Sequence, residues 1–522
     1  MSVACGSGFT YVVTEKGAAW STGHSNNGQL GLGYCADVVQ LQKFKSSSND
    51  PVVMVAAGRE HGVLVTKSGR VWSWGFGGFG QLGHGDTTTL PSPSLIGMFL
   101  SQGTPVLRAV MVACGRTHTL VLTHKQNVYS FGDGLFGKLG HGSVDGTAEP
   151  TLVLCSAVHA GAQTPLSNIL MVSAGAEHNV ALGAEGLVWT WGCGIDWQLG
   201  HRTTTDRLVA GLVDSAPWES AGGEGGSMRA ARDCVVVVAA GGAHTAAVMS
   251  SGALYVWGSN HAFQLGVVTP DPSGDRCMPQ RVVTGWRESA ETGLFSEKHV
   301  LTVACGYTHT MAVMKDGSLF TWGAFATPPL FSGLGHISNE NAKTYGDCKL
   351  CPAQVNPEHF DGKVVSAAAG MMHSAVVTDK GTLYTWGKMH GIAHAVDKCF
   401  PTAVITPLMR FMGEEQRIGS CHTLSASKAL AFAMGTHTRL GGGSAVGLLL
   451  VPLTRMSLRQ QGKAPAANTD QPCHYYTMPA DLVQRVVRTC VSWPAGLAGE
   501  TEGIVRLLGG GHDNAVSSMC NI

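Results

Sequence analysis

Histidine is the residue type of this chain that most invites a chemical role, because imidazole binds metals and transfers protons. The 522 residues include 22 histidines. Six of them share one recurring motif, a small residue followed by Gly-x-x-His: His61, His118, His178, His244, His309 and His373. Equivalent positions of successive repeats are spread through a structure and do not converge within the about 2 Å that zinc ligation requires. The pattern predicts structural histidines, each buried with a hydrogen-bond partner, and no metal site.

The cysteines give no stronger indication of a reactive site. The 15 cysteines are scattered over the whole chain, unlike a secreted disulfide framework. Cys348-Lys-Leu-Cys351 is the only close pair, and without a second such pair it favours a reduced loop over a zinc or redox site. Cys5, Cys114 and Cys305 stand where other repeats have alanine, which predicts small packed positions.

Composition and motif searches exclude several function classes. Basic and acidic residues number 35 each, which argues against nucleic acid, chromatin or an acidic membrane as the main partner. We find no transmembrane run, signal peptide, nucleophile elbow, phosphate-binding loop or kinase motif. We therefore expect a non-enzymatic protein without a cofactor, located in the cytoplasm, with the nucleus as the alternative compartment.

A second motif follows each repeat histidine at a constant distance. It is an aromatic residue followed by glycine, and the glycine comes 14 positions after the histidine in all six repeats: Gly75, Gly132, Gly192, Gly258, Gly323 and Gly387. Phe9 and Gly23 have the same separation. A constant offset of this kind predicts a fixed element between the two motifs.

The residues between the motifs have the pattern of a β-hairpin. After His61, Val63-Leu64-Val65 leads to a turn at Gly69 and then to Val71-Trp72-Ser73-Trp74. Similar turn glycines recur in the other repeats, with Asn127 in that place once. Short strands at a regular period predict an all-β protein, a β-propeller in which each blade buries its aromatic residues against the next.

These motifs, together with Gly-Gln-Leu-Gly at residues 28–31 and 80–83, resemble the regulator of chromosome condensation repeat family. The resemblance covers about residues 1–441 and implies a β-propeller with seven blades. A degenerate eighth pair of motifs lies at 419–441. We expect residues 442–522 to form a short C-terminal extension, partly helical, with a segment at 504–516 that returns a strand to the propeller.

The photoreceptor branch of this family takes its tryptophans from a Gly-Trp-Arg-His-Thr motif. The residues here that correspond to that tryptophan are Arg59, Arg116, Ala176, Gly242, Tyr307 and Met371. Seven of the 12 tryptophans instead lie in the strand before a repeat glycine, where they are expected to be core residues: Trp72, Trp74, Trp189, Trp191, Trp257, Trp322 and Trp386. Photoreception is therefore disfavoured.

Two functions are left open. The first is a non-enzymatic scaffold that binds a protein partner of unknown identity through loops on a rigid frame. The alternative is guanine-nucleotide exchange on a Ran-like small GTPase, which the resemblance implies for the founding member of the family. Exchange factors bring carboxylates against groups that bind phosphate and magnesium. The candidate GTPase contacts here are Glu177, just before a repeat histidine, Glu60 in the same position of another repeat, and Asp196.

Overall fold

The computed structural model describes residues 1–44, 50–101, 104–105, 107–156, 163–214, 233–267, 275–282, 298–323, 334–336, 349–387, 393–394 and 398–404. Within them the chain forms seven blades, each with four antiparallel strands that follow one another in sequence order. The all-β, seven-bladed propeller expected from the sequence is confirmed. The boundary at 441, the eighth pair of motifs and the extension at 442–522, with its strand at 504–516, lie outside the described residues.

Each blade runs from an inner to an outer strand. A short two-stranded hairpin at residues 100–105 follows blade 2, and a second hairpin at residues 154–165 extends the sheet of blade 4 through a parallel pairing of Cys155 with Ala210 in the outer strand. Blade 1 is β1–β4, blade 2 β5–β8, blade 3 β11–β14, blade 4 β17–β20, blade 5 β21–β24, blade 6 β25–β28 and blade 7 β29–β32. In chain order the strands are β1 (Ser2–Cys5), β2 (Phe9–Val13), β3 (Ala19–Gly23), β4 (Val38–Lys43), β5 (Val52–Ala57), β6 (His61–Thr66), β7 (Val71–Gly75), β8 (Leu90–Leu95), β9 (Leu100–Ser101), β10 (Thr104–Pro105), β11 (Ala109–Cys114), β12 (His118–Thr123), β13 (Val128–Gly132), β14 (Thr147–Leu152), β15 (Leu154–Ser156), β16 (Gln163–Pro165), β17 (Ile169–Ala174), β18 (His178–Gly183), β19 (Val188–Gly192), β20 (Arg207–Leu212), β21 (Val235–Ala240), β22 (His244–Met249), β23 (Leu254–Gly258), β24 (Arg276–Arg281), β25 (Val300–Cys305), β26 (His309–Met314), β27 (Leu319–Gly323), β28 (Lys349–Gln354), β29 (Val364–Ala369), β30 (His373–Thr378), β31 (Leu383–Gly387) and β32 (Lys398–Ala403).

Strand register explains the constant offset between the two motifs. The repeat histidine begins the second strand of a blade and pairs with the glycine that ends the third, as His61 does with Gly75. That glycine has φ +96, and a Cβ there would lie 2.5 Å from the carbonyl oxygen of Glu60. Glycine tolerates both the positive φ and the close approach. The hairpin length is therefore the same in every blade.

Each repeat histidine joins its blade to the next blade. The Nε2 of His61 lies 3.0 Å from Thr119 Oγ1 of blade 3, and Thr119 donates its own proton to the carbonyl oxygen of Gln81 at 2.8 Å. Because the threonine proton is used in this way, His61 must be the donor, as a neutral Nε2–H tautomer. The remaining histidines bond likewise to Asn179, Thr245, Thr310, Ser374 and Thr10. Each of the six repeat histidines is thus buried and lies within hydrogen-bond distance of a polar side chain in the next blade.

The contact between blade 1 and blade 2 lacks the histidine hydrogen bond and is formed differently. Phe9 stands in the histidine position, and the residue of blade 2 that would accept its hydrogen bond is Gly62. A Cβ at Gly62 would lie 2.3 Å from the hydroxyl oxygen of Tyr11, which donates to the carbonyl oxygen of Gln29. The tyrosine hydroxyl of blade 1 therefore takes the place of the missing threonine hydroxyl of blade 2.

The ring closes between blade 7 and blade 1 through the same contacts as elsewhere. His373 Nε2 lies 3.0 Å from Thr10 Oγ1, and the amide of Met371 donates to the carbonyl oxygen of Gly6 at 3.2 Å. Equivalent amide bonds link other neighbouring blades, such as Tyr307 to Gly370 at 3.2 Å. Blade 7 is therefore joined to blade 1 by the same two kinds of hydrogen bond that join other neighbouring blades.

The core lies between the blades and contains the aromatic residue before each repeat glycine. Five of these tryptophans are fully buried: Trp74, Trp191, Trp257, Trp322 and Trp386. The indole nitrogen of Trp74 donates to the carbonyl oxygen of Gln29 in the preceding blade, at 2.9 Å. Trp72 and Trp189, which were also expected in the core, are only half-buried. Both lie two residues before a buried tryptophan, on the same side of the third strand but nearer its start.

One turn position was assigned wrongly from the sequence. Asn127 was expected to take the place of the hairpin glycine in blade 3, but the residue with positive φ is Gln126, at φ 65. Gln126 is eight residues after His118, as Gly69 is after His61. Asparagine tolerates this conformation better than glutamine does. The residue preference therefore placed the positive-φ position of the turn one residue too late in the sequence.

The glycine before each repeat histidine provides a test of this close packing. A Cβ on Gly241 would lie 2.4 Å from the His244 ring and 2.5 Å from the carbonyl oxygen of Gly306 in the next blade. We expect Gly241→Ala to reduce the free energy of unfolding by about 3 kcal/mol, as in an overpacked core. At Gly97, where a Cβ would meet nothing within 4 Å, alanine should change it by less than about 0.5 kcal/mol. Equal effects in urea unfolding would contradict the interpretation.

The buried histidines predict a loss of stability in acid. Burial lowers the pKa of His61 and His373 to about 4 and that of the other four to about 3. In the unfolded chain the pKa is about 6.5, so the unfolded state binds protons that the folded state does not. The stability is therefore complete above about pH 6.5 and decreases as the pH falls toward the folded pKa values.

At pH 5 we expect this proton uptake to cost on the order of 2 kcal/mol per histidine relative to pH 7.5. Six such terms are comparable with the whole stability of a folded protein, about 5–15 kcal/mol. The urea midpoint should therefore fall steeply between pH 7.5 and 5. A constant midpoint over that range would show that these histidines are not held neutral.

Candidate functional site

One face of the propeller is formed by two sets of loops from each blade. The turns between first and second strands and the loops between third and fourth strands both lie at the end of the blade where the repeat histidine pairs with the repeat glycine. We call this the loop face. The hairpin turns between second and third strands lie at the opposite end. Glu60, Glu177 and Asp196 all belong to the loop face.

The centre of the loop face opens into an axial cavity. Its volume is about 540 Å³, and turns from all seven blades line it. Arg59, Arg116 and Tyr307 stand exposed at this mouth. The first two are paired within the chain, Arg59 with Glu60 at 3.7 Å and Arg116 with Glu177 at 3.5 Å. Backbone and small side chains form most of the rest of the lining.

Glu177 is held by a buried lysine of the neighbouring blade. The Nζ of Lys138 lies 2.6 Å from Glu177 Oε2 and 2.5 Å from Asp133 Oδ2, and the lysine side chain is 1% exposed. Burial raises the pKa of Asp133, but its bonds from Lys138 and from the Leu135 amide outweigh this and leave the pKa below its usual value. Glu177 is therefore part of an ion-pair network between blades 3 and 4.

The other two acidic candidates differ from each other. Glu60 pairs with Arg59 and accepts a 3.4 Å hydrogen bond from Asn27 Nδ2 of blade 1. Asp196 is half-buried in the loop between the third and fourth strands of blade 4. No hydrogen bond or ion pair to its carboxylate occurs within the described ranges. Burial and the nearby charge of Asp275 raise its pKa, against the effect of His261. The three carboxylates thus do not form one cluster.

Large apolar side chains stand on the loops of four consecutive blades of this face. Among the described residues, Ile195 is the most exposed large apolar side chain, at 67%. We call the following set the apolar crest: Phe79, Leu135, Phe136, Ile195, Trp197 and Phe263. Phe136 also lies over the ammonium of Lys138, 5.9 Å from its ring centre. The network that fixes Glu177 therefore supports the crest as well.

Three crest residues have an uncommon backbone conformation. Trp197 (φ 63) and Phe263 (φ 59) occupy the position that glycine holds in the loops of blades 1 to 3, and Phe136 (φ 62) precedes it in blade 3. A bulky residue at positive φ costs on the order of 1–3 kcal/mol, and such residues cluster at functional sites. The aromatic side chains are thus kept at positions where glycine would be easier to accommodate.

The described residues offer little for other chemistry. Burial raises the pKa of Cys5 to about 12 and raises those of Cys114 and Cys305 further, so these thiols stay protonated. No group of three or more potential metal ligands is found there. Cys351 lies on β28, whereas its sequence partner Cys348 is outside the described ranges. In the same part of the chain, no helix has the length and apolarity needed to cross a bilayer.

Comparison with known proteins identifies the family. The model of the regulator of chromosome condensation (RCC1) repeat matches residues 16–65, 68–122, 126–182, 185–248 and 251–313. The chain belongs to the RCC1 repeat family. It is 31% identical over 412 residues to the ultraviolet-B receptor UVR8 of Arabidopsis thaliana, covering 77% of this chain and 81% of the receptor.

Other members of the family differ in their described roles. A secretion-regulating guanine nucleotide exchange factor of Bos taurus is 29% identical, over 60% of each chain. The structure of Prp20p from Saccharomyces cerevisiae, described with its binding to Gsp1p and histones, shares the fold with a TM-score of 0.59 at 21% identity, covering 77% of this chain and 89% of that one. Family membership therefore includes regulators, exchange factors and a photoreceptor.

Sequence reasoning missed Lys138 and the crest, although both depart visibly from the repeat. Lys138 replaces the glutamine found at Gln29, Gln81, Gln198 and Gln264. Trp197 and Phe263 replace a glycine just before that position. Alignment of the repeats with each other would have marked these positions, but not the contacts that they make.

The lysine network can be tested by restoring the repeat residue. Lys138→Gln leaves Asp133 and Glu177 without their shared cation, so we expect a loss of about 3 kcal/mol in the free energy of unfolding. Adding Glu177→Gln should recover part of that loss, because one of the two uncompensated carboxylates is then removed. Asp214→Asn, which breaks the exposed pair with Arg202, should cost less than about 1 kcal/mol. Additive effects of Lys138→Gln and Glu177→Gln would contradict the network.

Proposed function

We propose that this protein is a non-enzymatic interaction scaffold that binds a protein partner through the apolar crest. The observation that carries the proposal is the exposure of large apolar side chains on adjacent loops of one face, with Leu135 at 56% and Phe79 at 50%. Contiguous exposed apolar surface on a soluble protein commonly marks a protein-binding site. Aromatic side chains are also the residues that contribute most to binding at such sites.

The frame beneath the crest supports this role. The loops of the face begin and end on strands whose neighbours are fixed by buried hydrogen bonds, such as His178 to Thr245 at 2.9 Å. A rigid frame that holds variable loops loses little entropy on binding. For such a scaffold we keep the cytoplasm as the expected location, with the nucleus second.

Nucleotide exchange on a small GTPase remains the second candidate, because one relative is described as an exchange factor. The arrangement of charges favours it less. Glu177 is engaged by Lys138 at 2.6 Å and by Arg116 at 3.5 Å, so a GTPase would have to displace these cations to use its carboxylate. Asp196 is the acidic candidate that could be used without breaking an ion pair of the described residues.

A nucleotide-release assay separates the two candidates. We expect the purified full chain to leave the release of a fluorescent GDP analogue from Ran, and from a panel of other small GTPases, at its intrinsic rate. Asp196→Asn and Glu177→Gln should then make no difference. Acceleration that either substitution reduces at least tenfold would establish exchange and contradict a purely passive scaffold.

Site-specific photo-crosslinking tests the scaffold directly. A photoreactive amino acid at position 195, on the crest, should give adducts with a partner protein in cells. The matched control is position 98, because Met98 is 50% exposed and follows β8 at the opposite end of the blade. Adducts at 195 should disappear when Phe136→Ser and Phe263→Ser are added. The same adducts at both positions, or none at 195, would contradict the proposed binding face.

A further inference from the structure

The blade 4 and blade 5 part of the crest combines apolar surface with negative charge. Ile195, 67% exposed, and the half-buried Trp197 lie on the blade 4 loop, and Phe263, 40% exposed, lies on the blade 5 loop. The two blades are in contact at this height, since the amide of Arg202 donates to the carbonyl oxygen of Cys277 at 3.1 Å. Asp196 lies between Ile195 and Trp197 in sequence, so a carboxylate stands within this apolar surface.

Among the described residues no Lys or Arg forms an ion pair with Asp196 or Asp275, and His261 is the nearby group that acts against the raised pKa of Asp196. Asp275 of blade 5 uses Oδ1 to accept the amide of Asn260 at 2.7 Å, and its charge adds to the burial that raises the pKa of Asp196. The cation nearest in sequence, Arg202, is paired with Asp214 at 3.0 Å. By contrast, the carboxylates of blades 2 to 4 nearer the mouth have their own cations.

Resting on the proposed function, we infer that this part of the crest binds a partner segment in which a Lys or Arg stands next to a large apolar residue. The cation would lie against the Asp196 carboxylate and over the Trp197 ring, where an aromatic face attracts positive charge. The adjoining apolar side chain would cover Ile195 and Phe263. Sequence specificity would come from the pairing of these two features.

Other segment types fit this surface less well. A purely apolar segment would bury the Asp196 carboxylate without a partner, which costs free energy. An acidic segment would add a third negative charge beside Asp196 and Asp275. Only a basic and apolar segment both covers the crest and compensates the charge.

Selection from a phage-displayed library of random linear peptides tests the inference. The baits are the full-length protein, Asp196→Asn, Asp196→Lys and the control Asp86→Asn, an exposed aspartate of the blade 2 loop. The unmodified protein and Asp86→Asn should enrich peptides with Lys or Arg next to a large apolar residue. Asp196→Asn should keep the apolar preference and lose the basic one, and Asp196→Lys should favour Asp and Glu instead.

A synthetic peptide from the enriched set then gives the size of the effect. Loss of one charged contact should weaken its binding to Asp196→Asn about tenfold, with unchanged binding to Asp86→Asn. No basic enrichment by the unmodified protein, or the same peptides from all baits, would overturn the inference. If crosslinking at position 195 still captures a partner, the proposed scaffold survives and only the partner chemistry is wrong.

Discussion

The hydrogen bond from the repeat histidine to the next blade is the interaction on which the rest of this structure depends. It requires a neutral imidazole, buried where the pKa falls to about 3 or 4, and an acceptor supplied by the neighbouring blade. The same bond closes the ring, from His373 to Thr10 at 3.0 Å. Six such bonds, together with the packing of Tyr11 against Gly62 between blades 1 and 2, join the seven blades into one ring.

Much of the frame could be predicted from the sequence because it is repeated. The constant offset between His61 and Gly75 reflects strand register, and buried histidines need partners wherever they occur. The number of blades came from the resemblance, since spacing alone leaves the closure of the ring open. Gln126 shows where local preference fails, because the fixed hairpin length determines the turn position more strongly than residue type does.

The site could be predicted only in part, because its contacts join residues far apart in the chain. Glu177 was a reasonable candidate as an acidic residue beside a repeat histidine. Its ion-pair partner, Lys138, lies 39 residues earlier in the chain, and no pattern in the sequence links the two residues. Residues that match the repeat build the frame, whereas Lys138, Trp197 and Phe263 depart from it and shape the loop face. In a repeat protein, such departures are the positions at which function should be sought first.

The state of the repeat histidines is the most direct test of this account. In protein labelled with ¹⁵N at histidine, the ring nitrogens can be observed by long-range ¹H–¹⁵N correlation between pH 8 and 6. Six histidines should show the neutral Nε2–H tautomer with shifts that do not change over this range, whereas exposed histidines titrate near pH 6.5. If the six titrate like the exposed ones, the hydrogen bonds that join the blades are not formed as described.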